Sequence, residues 1–354
     1  MTQPAPTTRF RACLRQVFLI APLIAPALAA WPAVAHGGEQ AAEVETATPV
    51  QAAIRSNAAE GPIFKLPAGV RIAQQDIAMN PRHVTLTYVF QSAQRHTVPF
   101  RFKLPEMPVD ASPDVVGLPA GGSMAEGLAA DRKPVNYMNL SVRVNGVPLA
   151  LSGQGRVIQD GKDVTRTLLD AGVPLLYDPE GEAPWLHLPA QTQAMLKARG
   201  LLSVDAANWN YQARYTWDQV FEPGETRVEI HYNPNAFYWS DINLDNFPPI
   251  AAGGWANRTY CIDEAWRRAF LRLVGYELYA VMHVLALKGA SPPPAAAQYS
   301  LKVDKYAPPN LVAFCPADSN KTSPHTFEWQ ARDVTPGRSI DALFFMGPDG
   351  WPDN

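Results

Sequence analysis

The segment from Asn210 to Phe221, "NYQARYTWDQVF", alternates so strictly that Tyr211, Ala213, Tyr215, Trp217 and Gln219 share one face of an extended strand. An aromatic stripe at period two marks a strand pressed against a core, a reading that outweighs a stacking platform for ligands. The same alternation recurs in "HVTLTYVFQ" (His83 to Gln91) and "TVPFRFKLP" (Thr97 to Pro105), with "SAQR" as a turn between them, and predicts an antiparallel pair. After Phe221 the chain is expected to turn at Pro223-Gly224 and run back as "TRVEIHYNP" (Thr226 to Pro234). In "LSVRVNGVPLAL" (Leu140 to Leu151), Asn145-Gly146 separates two alternating runs, a hairpin signal because both central turn residues need positive φ.

Helical spacing intervenes twice. Between Asp163 and Leu202, Asp163 offers an N-cap and Gly172 a stop, then Pro189 opens and Gly200 closes a second short helix. Further on, Asp263 can cap a helix carrying Trp266, Phe270, Leu273 and Val274 and ending at Gly275. "LYAVMHVLALKG" (Leu278 to Gly289) could continue it, but the Gly275 break and the valines favour a strand. "YSLKVDK" (Tyr299 to Lys305), "NLVAFC" (Asn310 to Cys315), "TFEWQARD" (Thr326 to Asp333) and "SIDALFFM" (Ser339 to Met346) are further short strands bounded by turn residues. The 34 prolines and 23 glycines fit many strands joined by loops. The fold class is therefore mainly β (α+β): an antiparallel β-sandwich-like domain with a short helical insertion, a linker helix and a smaller C-terminal β unit. The expected boundaries are a leader at 36–62, the larger domain at 63–234 with its insertion at 163–202, an aromatic and Asx-rich loop at 235–262, the helix and C-terminal unit at 263–346, and a tail.

Residues 1–35 read as a signal peptide. Arg9, Arg11 and Arg15 precede the apolar run "VFLIAPLIAPALAAW", and "AVA" before His36 supplies the small residues of a cleavage site after Ala35. Pro22 and Pro26 interrupt the run, which is shorter than the roughly 20 residues of a spanning helix. Cys13 precedes the apolar core, so it is not a lipid-anchor cysteine. The expectation is a secreted, periplasmic protein with no transmembrane segment after cleavage. Cleavage removes three arginines and no acids, leaving a chain more acidic than the −3 of the whole sequence. That balance disfavours nucleic acid, whose phosphates demand a basic surface. The cluster Arg267, Arg268 and Arg272 reads as the solvated face of a helix.

Outside the cytoplasm the two remaining cysteines, Cys261 and Cys315, are expected to be oxidised to one another. Their separation of 54 positions makes such a bond worth roughly 4 kcal/mol in the chain-entropy model. Structural free thiols and a catalytic thiolate beside a histidine remain as alternatives. Zinc is disfavoured, because no C-x-x-C or H-x-x-x-H spacing accompanies the pair.

Other chemistry is weakly marked. "DINLDN" (Asp241 to Asn246) begins like a calcium loop, but Asn246 replaces the required glycine and Ala252 the bidentate glutamate. Phe237, Tyr238, Trp239, Phe247 and Trp255 gather near Asp241 and Asp245. Tyr238, Trp239, Asp241, Asp245 and Trp255 are thus candidates for holding a sugar or peptide, although aromatics covering a junction between β units is the plainer reading. "GKD" (Gly161 to Asp163) lacks a phosphate-loop context, and neither H-E-x-x-H nor G-x-S-x-G is present. His83, His96, His231 and His325 lie in or beside strands, where histidines are more often structural than catalytic. No cofactor and no metal ligand set is indicated.

"DIAMNPRHVTLTYVFQ", "YTWDQVFEPGETRVEIHYNP", "YCIDEAW", "YSLKVDKYAPPNLVAFC" and "TFEWQARDVTPGRSIDALFF", in that order, resemble the bacterial secreted family catalogued as domain of unknown function 4424. The resemblance runs from about Ile63 to Met346. It implies an exported, mainly β protein with Cys261 and Cys315 at family motif positions, and it implies no activity. The leading expectation is a non-catalytic binding or interaction module, its partner an unnamed envelope protein or small ligand. A hydrolase or thiol enzyme using an acid or Cys261, and an envelope scaffold protein, are the competing readings.

Overall fold

The computed structural model describes residues 59–109, 136–176, 183–203, 206–234, 237–240, 255–272, 278–285, 296–316, 318–334 and 339–346. In chain order the first strands are β1 (Glu60–Ile63), β2 (Val70–Met79), β3 (Val84–Ser92), β4 (His96–Lys103) and β5 (Met107–Pro108). There follow β6 (Ser141–Val144), β7 (Val147–Pro148), β8 (Ser152–Gln159) and β9 (Lys162–Asp163). The helical insertion is α1 (Thr165–Asp170), one 3₁₀ turn (Pro184–His187) and α2 (Ala190–Ala198). Then come β10 (Asn210–Phe221), β11 (Gly224–Tyr232), β12 (Phe237–Ser240), α3 (Trp255–Thr259), α4 (Glu264–Arg272) and β13 (Leu278–Leu285). The chain finishes with β14 (Ala296–Asp304), β15 (Leu311–Phe314), β16 (Asn320–Lys321), β17 (Thr326–Val334) and β18 (Ser339–Met346). For β12 and β13 the description is of the backbone.

These strands make a six-stranded sheet, β1-β4-β10-β8-β9 with β5 also on β10, and an eight-stranded sheet, β16-β17-β14-β2-β3-β11-β6-β7. A small C-terminal sheet, β12-β13-β18-β15, completes the mainly β fold. The two large sheets face each other across aromatic rings. Phe90 on β3 meets Phe221 on β10 at 4.9 Å and Phe100 on β4 at 6.0 Å, and Phe64 stacks on Phe100 at 4.3 Å. Phe102 on β4 meets Tyr232 on β11 at 5.6 Å. Apart from Phe64, which follows β1, each ring sits at an inward position of its alternating strand, so burying one stripe fixes the face of the whole strand. Tyr211, Ala213, Tyr215, Trp217 and Gln219 are all buried, as their period requires.

Pairing departs from expectation at two places. β3 and β4 are not partners: β3 lies between β2 and β11, and β4 between β1 and β10. Likewise β10 belongs to the six-stranded sheet and β11 to the eight-stranded one. Both connections are arches that carry the chain from one sheet to the other. The reason is the core: folding β3 onto β4 as a hairpin would put Phe90 and Phe100 side by side on one sheet instead of opposite one another across two. The arches are neighbours, with Arg95 of the first 3.5 Å from Glu222 of the second. The Asn145-Gly146 hairpin forms as expected, with φ of +49 and +79.

The C-terminal strands divide. β14 pairs parallel with β2, the one parallel pair among the described strands, and carries β17 and β16 into the large sheet. β15 and β18 join β13 and β12 in the small sheet. Phe314 on β15 packs edge-on against Phe327 on β17 at 6.0 Å, and one continuous apolar core runs through all three sheets. The helix ends follow local chemistry. Asp263 accepts the Trp266 N–H at 2.6 Å and caps α4, as expected. At α1 the N-cap is Val164 rather than Asp163, which instead accepts the backbone N–H and hydroxyl of Thr165.

After β14, Lys305 is buried, its Nζ donating to the carbonyl of Pro308 at 2.6 Å and to that of Asn310, while the Asn310 amide donates back to the Lys305 carbonyl at 2.8 Å. Burial, with the charge of Lys321 added, pushes the Lys305 pKa down to about 8. The unfolded chain holds this proton more tightly, so the cost of a buried charge is full below pH 8 and is relieved as pH rises towards the unfolded value of about 10.4. The phenols of Tyr88 and Tyr232 are shifted upward by burial, and the stability that they contribute is lost above about pH 10. Stability in guanidinium titrations is expected to rise between pH 7.5 and pH 9.5, on the order of the interval between these pKa values, and to fall beyond it. Lys305→Met should flatten the rise and leave the fall; a wild-type stability that does not change across the first interval would contradict the assignment.

Candidate functional site

Because β4, β10 and β8 turn their apolar residues inward, the alternate positions form an outward face across three neighbouring strands. Arg101 and Lys103 come from β4, Arg214 and Thr216 from β10, and Ser152, Gln154 and Arg156 from β8. The register sets Arg214 opposite Lys103 on one side and Gln154 on the other, and Thr216 opposite Arg101. These residues, with Glu60 and Ile63 of β1, line an open cleft of about 570 Å³. That lies within the range of small-molecule sites, roughly 300–1,000 Å³.

The charges of the cleft are unevenly paired. Lys103 Nζ lies 3.1 Å from Glu60 Oε1, and Arg156 donates to Asp163 at 2.9 Å. Partial burial pushes the Asp163 pKa up, but the bonds from Thr165, with Arg156 and Arg214 nearby, outweigh it and hold the carboxyl below its usual value. Arg214 Nε donates to the amide oxygen of the buried Gln212 at 2.8 Å. Partial burial and then the Arg156 guanidinium push the Arg214 pKa down, against the pull of Asp163, Glu60 and Glu106. Neither Arg101 nor Arg214 has a carboxylate within ion-pair distance among the described residues. The cleft therefore presents two guanidiniums without a contact carboxylate, in a field that its acids only partly offset, with neutral hydrogen-bonding groups at its walls.

Of the residues singled out from the sequence, Asp241 and Asp245 lie outside the described residues. Tyr238 and Trp239 belong to β12, whose backbone pairs with β13 at Ala280 and Tyr279, and Trp255 begins α3. The expected loop is thus strand at Phe237–Ser240 and helix at Trp255–Thr259. Composition misled because the Asx residues that signal loop follow the strand rather than interrupt it. Arg267 and Arg268 both reach towards Glu264, at 3.7 and 3.8 Å, which is a helix face pairing with itself. His83 meets Asn233 at 3.1 Å, His231 meets Thr85 at 3.0 Å and His325 meets Asp304 at 3.0 Å. Near the His325–Asp304 pair, Ser323 Oγ accepts the backbone N–H groups of His325 and Thr326, so it caps a turn. No group of three histidine, cysteine, aspartate or glutamate side chains could hold a metal among the described residues.

Cys261 and Cys315 are joined in a disulfide with their Cα atoms 5.2 Å apart. The bond ties the turn between α3 and α4 to the end of β15, beside the packing of Trp266 and Phe270 on Phe345 at 5.4 and 4.8 Å. Joined sulfurs leave neither residue as a thiolate nucleophile.

The model of the family described as "Domain of unknown function (DUF4424)" matches residues 52–343. The chain belongs to this family. The DUF4424 match spans both large sheets, the insertion and most of the small sheet, so the cleft and the disulfide both fall inside the family domain. The comparison with curated proteins gives no match. Among solved structures, the chain is similar to the crystal structure of a "putative nutrient binding protein" from Legionella pneumophila, with 13% identity over 82% of this chain and 72% of that one and a TM-score of 0.39.

The cleft residues were not picked out from the sequence. Alternation put Arg101 and Lys103 on one face of "TVPFRFK" and Arg214 on the outer face of "NYQARYT", but only the pairing of β4 with β10 brings them together. Alkylation of denatured, unreduced protein is expected to find neither Cys261 nor Cys315 free. The double variant Cys261→Ser, Cys315→Ser should lose up to about 4 kcal/mol in urea unfolding. Labelled thiols in the wild type, or an unchanged unfolding midpoint in the variant, would count against the staple.

Proposed function

We propose that this chain is an exported, periplasmic binding protein with no catalytic role, and that the cleft on the outer face of the six-stranded sheet holds its ligand. The observation that carries this reading is the cleft itself: ligand-sized, open, and lined by Arg101 and Arg214 with no ion-pair partner among the described residues. A folded surface ordinarily places acids beside such cations, and a mildly acidic chain has acids to spare. Leaving two guanidiniums unpaired in a concave, partly shielded site is what recognition asks for and what stability does not.

Export is supported by the basic residues Arg9, Arg11 and Arg15 before an apolar run, the small residues before His36, and a cysteine pair suited to an oxidising compartment. Against a catalytic role stand the joined sulfurs of Cys261 and Cys315 and the turn-capping use of Ser323 beside His325.

The test is a thermal-shift screen of the exported protein against small neutral, cationic and anionic compounds. At a concentration about 100 times its Kd, a ligand stabilises the folded state by about 2.7 kcal/mol, a shift of several degrees. At least one compound should do so with wild type and fail with Thr216→Trp, which fills the cleft from an exposed outward position. The exported chain should begin at His36. A screen with no stabiliser, or one whose stabilisers are indifferent to Thr216→Trp, contradicts the site. A secreted chain that retains Met1 contradicts the export.

A further inference from the structure

We propose that the ligand of the cleft is a compact dianion of oxygen acids, a small dicarboxylate or a phosphate monoester, gripped between Arg101 and Arg214. This rests on the binding reading above and adds the chemical class to it.

Four cations line the cleft, Arg101, Lys103, Arg156 and Arg214, with Glu60 as the lining acid. Glu60 is taken by Lys103, and Asp163, at the neighbouring edge, by Arg156. Glu106, which lies near enough to act on Arg214, accepts the Asn210 amide at 3.1 Å. Glu106 keeps its charge but forms no ion pair with either arginine, so among the described residues the guanidiniums of Arg101 and Arg214 are the two left without a contact carboxylate, and a ligand with two anionic groups can meet both.

Their positions suit one small molecule. Arg214 faces Lys103 across the β4–β10 ladder, and Arg101 lies two residues from Lys103 on β4, so Arg101 and Arg214 are diagonal neighbours on the same face. Diagonal neighbours stand roughly 7–8 Å apart at the backbone, and two guanidiniums on their long stems converge on groups a few bonds apart. Gln212 holds Arg214 at Nε, which leaves the two terminal nitrogens to form a fork towards the cleft. Thr216 stands opposite Arg101, and Gln154 stands opposite Arg214 on β8. These two side chains offer neutral bonds to the remaining oxygens or to a hydroxyl. Arg156, which lines the same cleft, adds a like charge that a bound dianion would relieve. A monoanion would leave one guanidinium unmatched. A long polyanion such as nucleic acid would need basic residues beyond the cleft, and at the neighbouring outward positions the same face carries Asp218.

Isothermal titration of the exported protein at low ionic strength would use succinate, glutarate and glycerol 3-phosphate as probes, with inorganic phosphate, acetate and glycerol as comparators. At least one organic dianion should bind, at least tenfold more tightly than acetate and with affinity falling as salt is raised. Arg101→Met and Arg214→Met keep the apolar stem and remove the charge, and each should weaken that binding tenfold or more. The melting temperature of each variant without ligand serves as the check on folding. Tight succinate or glutarate with weak glycerol 3-phosphate names the dicarboxylate class, and the reverse names the phosphate ester. Dianion binding that both variants retain overturns the proposal. So does a neutral ligand that Thr216→Trp displaces while no dianion binds, an outcome that leaves the cleft as the site. If nothing tested is sensitive to Thr216→Trp, the proposal and the binding reading fall together.

Discussion

The structure depends on one layer of packing, the rings of Phe64, Tyr88, Phe90, Phe100, Phe102, Phe221 and Tyr232 held between two sheets. Phe64 alone touches Tyr88, Phe90 and Phe100, with centroids 6.2, 5.6 and 4.3 Å away, so rings from both sheets meet around one side chain. Aromatic side chains contribute large buried areas and prefer the stacked and edge-on arrangements seen here. To place such residues opposite one another, β3 must hand over to β4 in the other sheet, and β10 to β11. The arches follow from the packing rather than from the turns that make them. Once the inward stripes of β4, β8 and β10 are committed to this layer, every second residue is committed to the outer face, and the cationic cleft is the result.

This separation gives the molecule two faces with different requirements. Inward positions are selected for volume and shape. Gly155 on β8 shows how closely they fit: a Cβ there would lie within 2.8 Å of the Tyr211 ring, so the phenol of Tyr211 occupies the room that the glycine vacates. Outward positions are free to carry charge, and they do so on rigid ladder strands rather than on loops, where a site is held more precisely. The helical insertion adds its own apolar residues, Leu168, Trp185 and Leu196, to the same core, and Trp185 meets Trp209 edge-on at 5.9 Å. The disulfide from Cys261 to Cys315 acts elsewhere, at the small sheet, where α4 lays Trp266 and Phe270 against Phe345.

What the sequence discloses and what it hides divide along the range of the interaction. Local signals read well. The period of β10, the Asn145-Gly146 turn, the Asp263 cap and the strand at Leu278–Leu285 all depend on residues close in the chain. The mainly β fold class followed from those alone. Partners did not follow, because alternation says which side of a strand is buried and is silent about which strand lies beside it. The hairpin expected of β3 and β4, the arch found there, and the parallel pairing of β2 with β14 across more than two hundred residues are equally compatible with the same alternating pattern. The cleft was hidden for the same reason, since Arg101 and Arg214 become neighbours only through the β4–β10 ladder. The stretch around Trp239 stands out more readily, because its chemistry-bearing residues are crowded in sequence.

The most direct measurement is a crystal structure of the protein with the tightest-binding organic dianion. Oxygen atoms of one ligand are expected within charge-assisted hydrogen-bond distance, about 2.7–2.9 Å, of the guanidiniums of both Arg101 and Arg214. A ligand found elsewhere, beside Trp239 for example, with the outer face of β4 and β10 empty, would contradict it.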